Sequence, residues 1–134
     1  MRKGLISLLR GEATVTAIVG AAGVYVTKAP QTAKLPFVII DQNDTDEFVS
    51  MDGTGALRRM GFVIDCIAST SLGAETLGDA VRTFLDDFTG TAGTFTVDAV
   101  MMNGEHGGYD PPNDGSDGGF HIITLDLDVF YQRP

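Results

Sequence analysis

Val24-Tyr25-Val26-Thr27-Lys28-Ala29-Pro30-Gln31, followed by Leu35-Pro36-Phe37-Val38-Ile39-Ile40, decides how this chain is read. Val24, Tyr25 and Val26 are β-branched or aromatic and make a short strand. Pro30 and Pro36 fix their own φ angles and bias Ala29 and Leu35 towards extended backbone. The segment between them is a preset corner. It delivers Phe37, Val38, Ile39 and Ile40, an apolar run suited to a buried strand that extends towards Asn43. Nothing in the stretch supplies a nucleophile, a general base or a metal ligand, so its content is architectural.

Upstream, Leu5, Ile6, Leu8 and Leu9 fall on one helical face. Ala13, Val15, Ala17, Ile18 and Val19 follow and stop at Gly20, a residue suited to a helix C-terminus. Two short helices or one kinked helix are expected. Downstream, Ser50-Met51-Asp52-Gly53-Thr54-Gly55 is a turn. A strand over residues 57–68 comes next, with Met60, Phe62, Ile64, Cys66 and Ala68 on one face. Arg59 and Asp65 share the other face with Val63 and Ile67, which implies a second, partly covered surface.

Ser69-Thr70-Ser71 offers N-cap side chains for a helix over residues 71–88. Leu77, Ala80, Val81, Phe84, Leu85 and Phe88 form its apolar stripe, opposite Asp79, Arg82, Thr83, Asp86 and Asp87. Gly78 inside it costs about 1 kcal/mol relative to Ala, which makes sense if something packs closely there. The last third is a hairpin. One strand covers residues 95–102. The other covers 121–131, with Ile123, Leu125, Leu127, Val129 and Tyr131 inward and Thr124, Asp126 and Asp128 outward. Residues 103–119 between them form a loop rich in Gly, Asp and Pro, longer than a hairpin needs. The expected fold is α+β in a single domain, 1–134. A mainly antiparallel sheet has the long helix and the short N-terminal helices packed on one face.

The 134 residues carry 18 acidic and 9 basic side chains, a formal net charge of −9. That excludes a general grip on nucleic acid, which needs clustered Lys and Arg. It also excludes docking on an anionic membrane. No apolar run reaches the ~18 residues of a membrane span. The run from Leu5 to Leu9 is broken by Ser7 and ended by Arg10 and Glu12, so no export signal is read. Cys66 is the one cysteine; its apolar, alternating neighbours make it a buried thiol.

No pattern of catalytic or cofactor-binding residues emerges. Gly53-Thr54-Gly55 precedes a strand rather than a helix N-terminus, so it is a turn and not a phosphate cradle. Glu105, His106, Asp110, Asp114 and Asp117 make an oxygen-rich segment of the kind that can hold Ca²⁺. They lack the alternate-residue spacing of a calcium loop, and Pro111-Pro112 interrupts them. His106 and His121 belong to no Ser/His/Asp or Cys/His arrangement. Asp86 and Asp87 oppose the dipole at their helix end, and Arg82 is placed to pair with Asp86. Either that face is solvated or a neighbouring subunit supplies cations to it. No enzyme, no metal and no cofactor are expected.

Taken in order, the pieces resemble the tail-terminator, or tail-completion, family of long-tailed phages and phage-derived particles. The N-terminal apolar helix precedes Ala17-Ile18-Val19-Gly20 and Val24-Tyr25; Ala29-Pro30-Gln31 and Leu35-Pro36-Phe37-Val38 follow. Then come Phe62-Val63-Ile64-Asp65-Cys66-Ile67-Ala68, Thr70 leading into an Ala/Leu-rich helix, and Ile123-Thr124-Leu125-Asp126-Leu127-Asp128-Val129-Phe130-Tyr131. The resemblance implies a virion protein, assembled in the host cytoplasm, that forms a ring of typically six subunits at the head-proximal end of the tail tube. Its partners would be itself, the tube protein and a neck or connector protein, with DNA only in transit through the bore. Cyclic rings use two different complementary patches per subunit. Pro30, Gln31, Lys34, Arg58, Arg59, Asp86, Asp87, Tyr109, Asp110, Asp114 and Asp117 are the interface candidates. Asp41, Asp44, Asp46 and Glu47 are candidates for the bore, where like charge keeps DNA from sticking. Residues 103–119 depart from the family pattern and are expected to contact the adjacent subunit or the tube. Alternatives are another neck ring protein or a monomeric metal- or ligand-binding module built on the acidic segment.

Overall fold

The computed structural model describes residues 2–20, 23–26, 35–49, 56–86, 88–92, 95–110 and 120–132; within these, side chains are described except at 2, 43–49, 56–57 and 110. Helices α1 (Arg2–Gly11) and α2 (Ala13–Val19) open the chain. They are two helices because Glu12 between them is extended, and its carboxylate accepts from the Thr14 N–H. Gly20 closes α2 at φ 78°, a conformation that favours glycine, and its N–H bonds the Thr16 carbonyl.

Strands β1 (Val24–Val26), β2 (Phe37–Val49) and β3 (Ala56–Ala68) lead into helix α3 (Ser71–Leu85). Strands β4 (Gly90–Ala92), β5 (Phe95–Asp110) and β6 (Phe120–Gln132) complete the fold. One sheet holds them in the order β1-β2-β3-β6-β5-β4. β1 runs parallel to β2, and every other neighbouring pair is antiparallel. The Leu35–Pro36 peptide at the head of β2 is cis.

The register sorts the side chains into two faces. Val38, Ile40, Phe62, Ile64, Cys66, Leu125, Leu127 and Val129 point to one side and are buried. Leu77, Val81 and Leu85 of α3 and Leu5 and Leu9 of α1 meet them there in one core cluster. At roughly 25 cal/mol per Å² of apolar surface, this cluster is the main stabilising term of the fold. Thr70 caps α3 by accepting from the Gly73 N–H at 3.0 Å. Gly78 of α3 lies directly over β6: a Cβ there would sit 2.9 Å from Ile123 Cγ2. The close neighbour that the glycine implied is therefore Ile123.

β2 runs on to Val49, past Asn43, and α3, β5 and β4 also differ from the sequence reading. α3 stops at Leu85 rather than residue 88, because Asp86 is extended (φ −62°, ψ 125°) and the chain turns so that Phe88 packs on Phe84 at 5.6 Å. β5 runs on through residues 103–110, which reads as loop in the sequence. Those residues are weak strand formers, but they pair backbone to backbone with β6 from Asp126 to Phe120. Tertiary pairing overrides local propensity there. β4, three residues hydrogen-bonded to the start of β5, had no sequence signal strong enough to mark it.

Candidate assembly surface

The face of the sheet turned away from the helices is where the chain departs from a plain folded domain. β2 contributes Phe37, Ile39 and Asp41. β3 contributes Arg59, Val63, Asp65 and Ile67, and β6 contributes Ile122, Thr124, Asp126, Asp128 and Phe130. One end of this face is apolar. Phe37 and Ile67 are buried there, and Tyr25 meets Phe37 edge to face at 5.8 Å. The middle is acidic: Asp41, Asp65, Asp126 and Asp128 lie across three neighbouring strands. Arg59 is the one Lys or Arg among the described residues of this face.

Its partner is Asp128, at 2.6 Å, with both side chains about one-fifth exposed. Asn103 donates to the other Asp128 oxygen at 2.8 Å, and Thr124 donates to Asp65 at 2.8 Å. Part of the acidic row is thus fixed in place, while Asp41, whose carboxylate accepts from the Gln42 N–H, is exposed.

The interface candidates scatter. Arg58 and Arg59 occupy opposite faces of β3, both half-buried. Asp86 is exposed just past α3. Arg82 does not pair with Asp86; it reaches Glu105 of β5 at 3.3 Å, because the unforeseen length of β5 puts a carboxylate opposite the helix. Tyr109 is 54% exposed and stacks on His121 at 4.7 Å near the far end of the β5–β6 hairpin. Asp110 ends β5. Pro30, Gln31, Lys34, Asp87, Asp114 and Asp117 lie outside the described residues. Asp44, Asp46 and Glu47 lie in β2 beside Asp41, their side chains outside the described set. Among the described residues no three His, Cys, Asp or Glu side chains gather as a metal site would require. No described helix is long and apolar enough to cross a membrane.

Cys66 sits in the core, and burial, helped by Asp65 and Glu105, pushes its thiol up to about 12 from 9.0. The folded protein therefore holds this proton where the unfolded chain releases it. The resulting stabilisation is complete below pH 9 and is lost as pH rises from 9 towards 12. Urea midpoints should fall more steeply for the native chain than for Cys66→Ala between pH 9 and pH 11. Equal slopes would show that the thiol does not titrate differently on folding.

Comparison with known proteins joins these features to a family. No curated protein sequence matches the chain. The virion of a native gene transfer agent particle contains a chain of similar fold: 19% identity, TM-score 0.67, covering 96% of this chain and 91% of that one. The family model described as tail completion protein gp17 matches residues 3–132, which spans all six strands, α2, α3 and all of α1 but Arg2. The chain accordingly belongs to the tail completion protein gp17 family and is a structural protein of the phage tail.

Proposed function

We propose that this protein forms a ring, of six copies, that closes the head-proximal end of the tail tube. The ring ends tube polymerisation and offers the neck or connector its docking surface. The genome passes through the bore, and the protein acts without catalysis. The observation that carries this reading is the acidic, helix-free face of the sheet. A folded domain gains nothing in stability from a row of carboxylates on adjacent strands, since like charges across a sheet are unfavourable. Lining a channel for DNA gives that row a use: a polyanion slides past walls of its own sign without adhering. Asp41 carries the row onto β2, the strand that also holds Asp44, Asp46 and Glu47.

Two measurements test it. Tails assembled without this chain should have tubes of uncontrolled length by electron microscopy. Tubes of normal length would place the protein elsewhere in the neck. Particles carrying Asp41→Lys with Asp126→Lys should assemble normally yet deliver DNA about tenfold less well or worse, because a cationic bore retains the genome. Normal delivery by such particles would remove the acidic face from the bore.

A further inference from the structure

We propose that neighbouring subunits of the ring join head to tail through α1, Lys3 at its start in one copy seating in a groove between α2 and α3 of the next. This rests on the ring reading above and names the contact that repeats around the ring. The groove is a cavity of about 420 Å³ lined by Glu12, Thr14, Asp79, Ala80, Thr83 and Phe84. Ala80 and Phe84, both half-buried, give it an apolar floor. Glu12, the N-cap of α2, and Asp79 of α3 put a carboxylate on each side. Glu12 accepts from the Thr14 N–H and hydroxyl, whereas Asp79 is exposed and has no ion pair or hydrogen bond among the described residues. No Lys or Arg lines the cavity. Such a groove takes a side chain with an apolar stem and a positive head. The Phe84 ring adds attraction for that head.

Among the described residues the chain offers one such side chain free. Arg10 donates from Nη2 to the Val24 carbonyl at 2.9 Å, Arg82 pairs with Glu105, and Arg59 pairs with Asp128. Arg58 is half-buried and engaged as well. Lys3 is exposed and unpaired. It stands in the first turn of α1 beside Arg2, and that turn holds no acidic residue. Two cations there add to the positive end of the helix dipole, which costs the helix unless a negative partner faces them.

The two patches do not meet within one chain. α1 lies across the sheet: Gly4 packs so close to β4 that a Cβ would sit 2.5 Å from the Ala92 oxygen, and Arg10 reaches Val24 of β1. Lys3 is therefore at the β4 end and Glu12 just past the other. Roughly 14 Å of helix, at ~1.5 Å per residue, separates them, more than a lysine side chain spans. A second copy brings them together. Unlike patches at opposite ends of one helix give the heterologous contact that a cyclic ring repeats. Both lie in the helical layer, so the contact leaves the acidic face of the sheet clear for the bore.

The test is a charge swap. Purified chain is added to tails assembled without it, and electron microscopy gives the concentration that caps half the tubes. Lys3 and Asp79 are exposed, so exchanging them leaves the core intact. Lys3→Glu alone and Asp79→Lys alone should each raise that concentration at least tenfold, since each reversed contact weakens by about two- to fivefold and the ring repeats it at every junction. The double variant exchanges the two charges and should cap within about threefold of the native concentration. A double variant as weak as the two losses combined would show that these residues do not meet. If Asp79→Lys weakens capping and Lys3→Glu does not, the groove takes a cation from another tail protein, and a second copy is the wrong occupant. Native capping by both single variants would remove both patches from the junction. If the native chain caps no tube and sediments as a monomer in the presence of tubes, the ring reading itself falls.

Discussion

Phe62→Ala should lower the unfolding free energy by about 3–5 kcal/mol, the largest loss expected from any single truncation of this chain. Phe62 is the largest of the fully buried side chains and sits at the middle of β3, opposite Leu127 on β6 and Gln42 on β2. It shares one buried cluster with Leu77, Val81 and Leu85 of α3, so the surrounding walls belong to several elements and cannot all collapse into the space left. For a domain of this size the melting temperature should fall by roughly 10–20 °C. A loss under about 1.5 kcal/mol by urea titration would mean that the core relaxes around the gap and that β3 is not its centre.

Gly78→Val is expected to cost about 3 kcal/mol, for the opposite reason. The helix lies so close to β6 that even a Cβ would meet Ile123 Cγ2 at 2.9 Å and Ile123 Cβ at 3.4 Å. Valine adds two further methyl groups to that contact. Gly78→Ala is the informative comparison: it gains about 1 kcal/mol of helix propensity and must still displace Ile123. The double variant Gly78→Val with Ile123→Ala should recover at least 1 kcal/mol relative to additive losses. Additive losses would place the strain somewhere other than the α3–β6 contact.

Gly78 also marks how far the sequence could be read. Its helical setting and its cost were legible; Ile123 as the reason was not, because nothing local couples residues on a helix and on the last strand. The same division holds elsewhere. The apolar stripe of α3, the alternation of β6 and the buried face of β3 are periodic signals, and the structure repeats them. The α+β class and the one-sided packing of the helices follow from those patterns.

Residues 103–110 read as loop in the sequence, yet form strand, for a physical reason. Asn103, Gly104, Gly107 and Gly108 have no intrinsic preference for a strand, and their pairing is determined by β6 across the ladder. Once β5 is long, Glu105 stands opposite α3, and the expected Arg82–Asp86 pair gives way to Arg82–Glu105. The acidic surface was legible as composition and as Asp126 and Asp128 facing outward. Its extent was not, since the neighbours of Asp128 on one face, Arg59 and Asn103, come from two other strands. The corner at Pro30, Gln31 and Lys34 lies outside the described residues, while the strands it joins, β1 and β2, are parallel neighbours.

The reach of α1 has a consequence for how the chain folds. Gly4 rests on Ala92 and Arg10 holds Val24, so this helix touches both ends of the sheet. Its docking site does not exist until β4, made in the last third of the chain, has joined β5. A helix that precedes every strand in the chain is therefore among the last elements to find its place. At 10 residues it is too short to persist alone in water. A topology that defers so many contacts to distant partners folds on the slow side for its size, in milliseconds to seconds rather than microseconds. Until α1 arrives, the Val24 carbonyl lacks the Arg10 guanidinium and Ala92 lacks the cover of Gly4.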